Sequence, residues 1–278
     1  MRMLKTIMGA AVAAAMFAPA AQASHIPGLG FNGQLFTVNP TAVGEAQGPF
    51  QTRFINFGYQ AEADQTGTAF TETGIASFGD FRLNLGGPPQ NSGITGLNST
   101  YNLYLAFSGA GTVAPSGSGG VDGTFATFNL TMFVDRNSDT TFNTPAPGAP
   151  NESKVVTGGS GDDVSVLTGT LQIGGFHINS GLAAGDFDVQ FTVTSCGAAS
   201  GFFCGPGGIG VGSTGDLNGN NQSIVGAVAP GGTAIDIIID GSGNEFFQAV
   251  PEPGSLALGG LGAMLLSLVG FRRNRKSS

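Results

Sequence analysis

The sequence predicts an all-β protein: an antiparallel sandwich or jelly-roll-like body with long Gly/Pro-rich loops, set between an N-terminal signal peptide and a C-terminal transmembrane helix. Three observations carry the body. Several stretches alternate apolar and polar residues with the two-residue period of a strand that has one wet face. No stretch between the two ends holds a 3.6-residue period over three turns. The segments in between, such as GGPPQNSG, APSGSGG and NTPAPGAPNES, are made of turn-forming residues.

Taken in order, the first strand candidates are weakly patterned: Gln34–Val38, Thr52–Gln60 and Phe70–Leu85. YNLYLAF (Tyr101 to Phe107) is clearer. In TFATFNLTMFV, Ala126, Phe128, Leu130, Met132 and Val134 fall on one face and Thr127, Asn129 and Thr131 on the other. DVSVLTGTLQI (Asp163 to Ile173) follows. DFDVQFTVT alternates most cleanly, with Phe187, Val189, Phe191 and Val193 inward and Asp186, Asp188, Gln190 and Thr192 outward. TAIDIIID (Thr233 to Asp240) closes the series. Eight or more short strands need two layers to bury their inner faces. The 22 phenylalanines supply a core, the 48 glycines point to long, loose loops, and no repeat of fixed period suggests a solenoid.

Cys196 and Cys204 enclose seven residues, GAASGFF. In an exported chain this spacing reads as a small disulfide-closed loop, since a metal pair would want further Cys or His nearby and the sequence offers none there. So short a loop should shape a local hairpin more than it holds the fold.

The two ends read as targeting segments. Residues 1–23 have a basic start (Arg2, Lys5), an apolar stretch from Ile7 to Ala18, and Ala21-Gln22-Ala23, which fits signal-peptidase cleavage between Ala23 and Ser24. That leaves a body at 24–248 and a tail at 249–278. The tail has three parts in fixed order: Pro251-Glu252-Pro253, an uncharged apolar helix candidate at 255–271, and a basic cluster of Arg272, Arg273, Arg275 and Lys276. Such a helix reaches about 24–27 Å, slightly short of the ~30 Å hydrocarbon core of a bilayer. The basic cluster stays on the cytoplasmic side, which puts the body outside. A buried C-terminal helix is the competing reading, but the segment has no polar face.

This order and spacing resemble the PEP-CTERM sorting signal of Gram-negative bacteria. The resemblance implies a membrane-embedded cysteine protease, the exosortase, as partner. It also implies cleavage near Pro251–Pro253, and hence a membrane anchor that is temporary, followed by release to the cell surface or extracellular matrix.

Charge narrows what the body does. The whole chain carries −8, and seventeen of its eighteen acidic residues lie between Ser24 and Val250, against four basic ones (Arg53, Arg82, Arg136, Lys154). Such a body repels phosphate backbones, so nucleic acid is not an expected partner, while cations are attracted. Catalytic signatures are sparse. His25 lies at the mature N-terminus, His177 sits alone in GGFHINSG, no Gly-x-Ser-x-Gly elbow occurs, and GPGGIG (Gly205 to Gly210) has no helix after it to receive a phosphate. Asp186 and Asp188 could do acid–base work or simply form a solvated face.

One constellation points to a metal. VDRNSDTT sets Asp135, Asn137 and Asp139 at alternate positions after an apolar strand, a spacing that lets oxygen ligands converge on a hard cation, with calcium the candidate. It is not an EF-hand loop, and an Asx-rich turn explains the same residues. GDLNGNN, with Asp216, Asn218 and Asn220, is a weaker version of the same loop.

In the body, FTVNP, YNLYLAFSGAGT, FVDRNSDTTF and FDVQFTVT, in this order ahead of such a tail, resemble the flocculation-associated PEP-CTERM proteins. Those are exported β-rich proteins implicated in holding cells together within an extracellular polysaccharide, and the resemblance implies no catalytic residues. Two functions are therefore expected: a non-enzymatic surface or matrix protein promoting aggregation or biofilm, or, alternatively, a secreted carbohydrate-active enzyme or carbohydrate-binding module on a jelly-roll. The absence of tryptophan weighs against sugar stacking in either.

Overall fold

The computed structural model describes residues 33–117, 119–143, 155–179, 184–228 and 235–248. The expected signal peptide with its Ala23/Ser24 junction, the helix at 255–271, and Pro251, Glu252, Pro253, Arg272 and Arg273 lie outside the described residues. Among the described residues no helix is long and apolar enough to cross a membrane.

The strands are β1 (Phe36–Val38), β2 (Phe50–Thr52), β3 (Phe54–Thr66), β4 (Ala69–Arg82), β5 (Asn102–Pro115), β6 (Val121–Asp135), β7 (Thr141–Phe142), β8 (Val156–Gly158), β9 (Val164–Ile178), β10 (Gly185–Ser195), β11 (Thr214–Val228) and β12 (Ile235–Gln248). Two single-turn helices, α1 (Ser92–Thr95) and α2 (Gly201–Cys204), sit in loops. The body is all-β and antiparallel, as the alternation requires. Its two facing layers are the walls of one sheet closed on itself, in the order β10-β11-β12-β3-β4-β5-β6-β9. Each long strand pairs with its neighbour in sequence, the β7–β8 hairpin being an insertion between β6 and β9. β12 then pairs back onto β3 from Ile235↔Gln65 to Phe246↔Phe54. Closure leaves none of the eight strands with an unpaired edge.

An eight-stranded barrel is just wide enough for side chains to fill it. Here the filling is aromatic, and glycine makes room for it. A Cβ added at Gly74, Gly109, Gly123, Gly169, Gly215, Gly219, Gly241 or Gly243 would fall under 3.0 Å from a ring atom of Phe107, Phe125, Phe176, Phe191, Phe191, Phe187, Tyr59 or Phe57, respectively. The glycine richness expected to mark loose loops is thus in large part a property of the barrel wall. In β10 the inward set Val189, Phe191 and Val193 is buried as expected. In β6 the expected phase slips: Phe125 and Phe128 both point inward and Ala126 is exposed. The register jumps between Ala110 and Gly111 on β5, so Ala126 is the extra residue of a bulge.

One end of the barrel is capped. β1, the turn Pro40–Val43 and α2 lie over it, stitched by Thr37 N to Gly207 O (2.8 Å) and Asn39 N to Phe202 O (2.8 Å). Phe202 and Phe203 are fully buried there, packed edge-on to each other and against Tyr101 and Phe36. A disulfide joins Cys196 to Cys204, with Cα atoms 6.0 Å apart, and closes the loop that carries this pair of rings.

Candidate functional site

The strongest concentration of polar chemistry lies on the outer wall formed by β10, β11, β12 and β3. β11 is the strand the sequence did not reveal: GDLNGNN lies within it and is not a loop. In a strand, Asp216, Asn218 and Asn220 share one face at two-residue spacing, so they cannot wrap an ion as a turning loop would. Pairing with β10 instead sets Asp186 opposite Asn220, Asp188 opposite Asn218, and Gln190 opposite Asp216. Two motifs that stand thirty residues apart in sequence thereby become one surface.

That surface is a groove of ≈ 470 Å³ whose lining includes Asn56, Asp186, Asp188, Asn218, Asn220, Ser242 and Asn244. The outward direction of Asp186 and Asp188 agrees with the alternation, but they are not a wet face: they are 7% and 3% exposed, and Asp216 is 0% exposed. Asp216 accepts hydrogen bonds from Asn218 Nδ2 (2.9 Å) and Gln190 Nε2 (3.3 Å). Neither carboxylate oxygen of Asp188 has a hydrogen-bond partner. Burial, reinforced by the neighbouring charges of Asp216 and Asp186, pushes the Asp188 carboxyl up to about 7. At the far edge, Arg82 holds Asp80 through Nε (2.6 Å) and Nη2 (3.0 Å). With the Asn56 side-chain amide turned over so that both ends are satisfied, its oxygen accepts from Arg82 (2.8 and 2.9 Å) and its nitrogen donates to Asn244 Oδ1 at 2.5 Å. This cation is therefore committed at the edge of the groove.

The loop after β6 holds the sequence-predicted metal residues. Asp135 is buried, and its two carboxylate oxygens accept the backbone N–H groups of Asp139 (3.2 Å) and Thr140 (3.1 Å), the hydrogen bonding of an Asx-type turn. Asn137 is exposed. Asp135 and Asp139 do come together, and Asp162, from the segment before β9, joins them with ligand atoms within 4.8 Å of one another. Beside them Tyr104 donates to Asp163 Oδ2 (2.5 Å), and Thr140 Oγ1 donates to the same carboxylate (2.9 Å). Stacking of Tyr104 on Phe133 and its edge contact with Phe142 fix the loop against the wall. His177, with no other histidine near it in sequence, pairs through Nδ1 with Asp122 Oδ1 at 2.5 Å, between the adjacent strands β9 and β6.

Inside the barrel, a cavity of ≈ 40 Å³ is walled by phenylalanines and by Tyr59, Glu72 and Asn221. Tyr59 and Asn221 both pair with Gly241 of β12, and the Tyr59 hydroxyl passes over that glycine to donate to Asn221 Oδ1. Burial raises the Glu72 carboxyl to about 7. Glu245, fully buried between Leu217 and Ile55 in the inward rows, is pushed well above the carboxylate range by burial and by the charge of Asp216. Sequence reasoning missed both interior acids. The parity of the strands carries a signal, since each sits at an apolar-phase position.

No curated protein and no solved structure matches the chain. Residues 249–276 match the PEP-CTERM protein-sorting motif. The chain thus carries a PEP-CTERM sorting motif after its β-barrel body, and that motif indicates an exported protein sorted by an exosortase.

Proposed function

We propose that the barrel is a non-enzymatic surface or matrix protein that promotes cell aggregation or biofilm formation within extracellular polysaccharide, after transient membrane anchoring through residues 255–271. The observation that supports this most is the filled interior. The cavity walled by the phenylalanines holds only ≈ 40 Å³, so a polymer would meet the outer wall, where acidic, amide and hydroxyl side chains such as Asp186, Asn220 and Ser242 line the groove. Such a wall offers many weak polar contacts to a hydroxylated polymer and suits bridging more than turnover.

A carbohydrate-active enzyme is the second reading, favoured by one feature. Asp186 and Asp188 line an open groove, and one of them carries a raised pKa, as a general acid beside a second carboxylate would. Deletion of the gene, scored for aggregation and complemented with wild-type or Asp188→Asn protein, separates the two. Bridging predicts lost aggregation on deletion and no new reducing ends when purified protein is incubated with the polysaccharide. Reducing ends that appear with wild type and vanish with Asp188→Asn would establish the enzyme instead.

A further inference from the structure

We propose that the outer wall at β10–β11 is a divalent-cation site of the calcium class, with Asp186, Asp188, Asn218 and Asn220 as its side-chain ligands. The inference concerns the barrel itself and does not depend on the aggregation role.

Register supplies the frame. The pairs Asp186↔Asn220 and Asp188↔Asn218 put four oxygen-bearing side chains at the corners of a rectangle on one sheet face. Its sides are about 5 Å across the strands and about 7 Å along them. All four line the same groove. A hard cation with oxygen ligands at about 2.3–2.6 Å and six to eight positions fits a site of this breadth, with water completing the shell. Magnesium, which demands a tight octahedron, fits it less well.

The second observation is Asp188 itself. It is 3% exposed, and both of its oxygens lack a hydrogen-bond partner. A buried carboxylate in that condition is costly unless an ion or proton compensates it. The charges acting on it, from Asp186 on its own strand and Asp216 on the next, have the same sign. Arg82 is held by Asp80 and Asn56. Asn218 has committed its Nδ2 to Asp216, which leaves its amide oxygen as the available ligand. A neutral sugar in this groove would satisfy hydrogen bonds yet leave the buried charge of Asp188 without a counter-charge, whereas a divalent cation does both.

The test uses exported protein collected from cells, stripped with chelator and titrated with calcium chloride, followed by calorimetry and by melting temperature. Wild type should bind saturably and melt several degrees higher in calcium than in chelator. Asp188→Asn should weaken calcium binding at least tenfold and remove most of the shift. Asp186→Asn provides the second variant, and far-UV circular dichroism checks that both fold. Asp135→Asn, in the loop after β6, should leave the response in place. The assignment is overturned if wild type shows no saturable response at millimolar calcium, or if both groove variants bind as wild type does. It is overturned equally if Asp135→Asn alone abolishes binding, or if a neutral oligosaccharide binds in chelator while calcium does not.

Discussion

Phe191 tests how the barrel is filled. Its ring is fully buried, and an added Cβ at Gly215 on β11 or at Gly169 on β9 would fall under 3.0 Å from it. The φ of Gly215 lies outside the left-handed region, so alanine meets no backbone penalty there. Two effects therefore compete in Gly215→Ala. Restricting the unfolded chain stabilises by about 0.4–1 kcal/mol, and driving a methyl group into a packed ring costs about 1–3 kcal/mol. The clash is with three atoms of one ring that is itself held by Gly169, so it has nowhere to swing, and the second effect wins. The expected net destabilisation is about 1–2 kcal/mol, read as a lower urea midpoint at unchanged slope. Phe191→Leu alone leaves a void and costs roughly 1–2 kcal/mol, short of the ~3–5 kcal/mol of a Phe→Ala change. In that background Gly215→Ala should become neutral or stabilising, giving a coupling of about 1–2 kcal/mol between two residues in direct contact. If Gly215→Ala stabilises the wild type, or costs the same with leucine at 191, the glycines do not make room for the rings and the account of the core is wrong.

Two further outcomes follow from the cap and from the interior acids. Replacing both cysteines, Cys196→Ser with Cys204→Ser, releases a nine-residue loop, worth about 2–3 kcal/mol of unfolded-state entropy. Because that loop carries Phe202 and Phe203, the urea midpoint of the whole barrel should fall, and an unchanged midpoint would show that the two rings hold the cap without the bond. Glu72 gives a pH dependence. Its folded pKa of about 7 stands above the ordinary 4.5, so the native state holds the proton more tightly than the unfolded chain. No penalty exists below 4.5; it grows as pH rises and is complete above about 7, at about 3 kcal/mol. Stability should therefore decline from pH 5 to pH 8. Asp188 and Glu245, raised likewise, add to that slope. Glu72→Gln should remove part of it in a melting-temperature profile, and an unaltered profile would place the titration elsewhere.

How much of this was legible depends on which residue of a contact carries the bulk. β10 was legible because both halves of its alternation are written in its own letters: Phe187, Val189 and Phe191 against Asp186, Asp188 and Gln190. β11 was not. Its inward positions beside Leu217 are Gly215 and Gly219, and the rings that fill the space above them belong to Phe191 and Phe187 on the neighbouring strand. A strand whose core contribution is the absence of a side chain shows no hydrophobic period, so GDLNGNN resembled a loop and its Asn and Asp resembled loop ligands. The same cause hid the groove. Parity gave the outward direction of Asp188, but its burial depends on which strand lies alongside, and that is settled by register and closure and not by local pattern. Asp162 joins Asp135 and Asp139 only because the chain returns through the β7–β8 hairpin. High glycine content in an all-β chain rich in phenylalanine is therefore better read as a count of ring-sized spaces in the sheet than as a count of loops. That reading predicts that glycine and aromatic positions face each other across strands, as Gly241 faces Tyr59 and Gly123 faces Phe176.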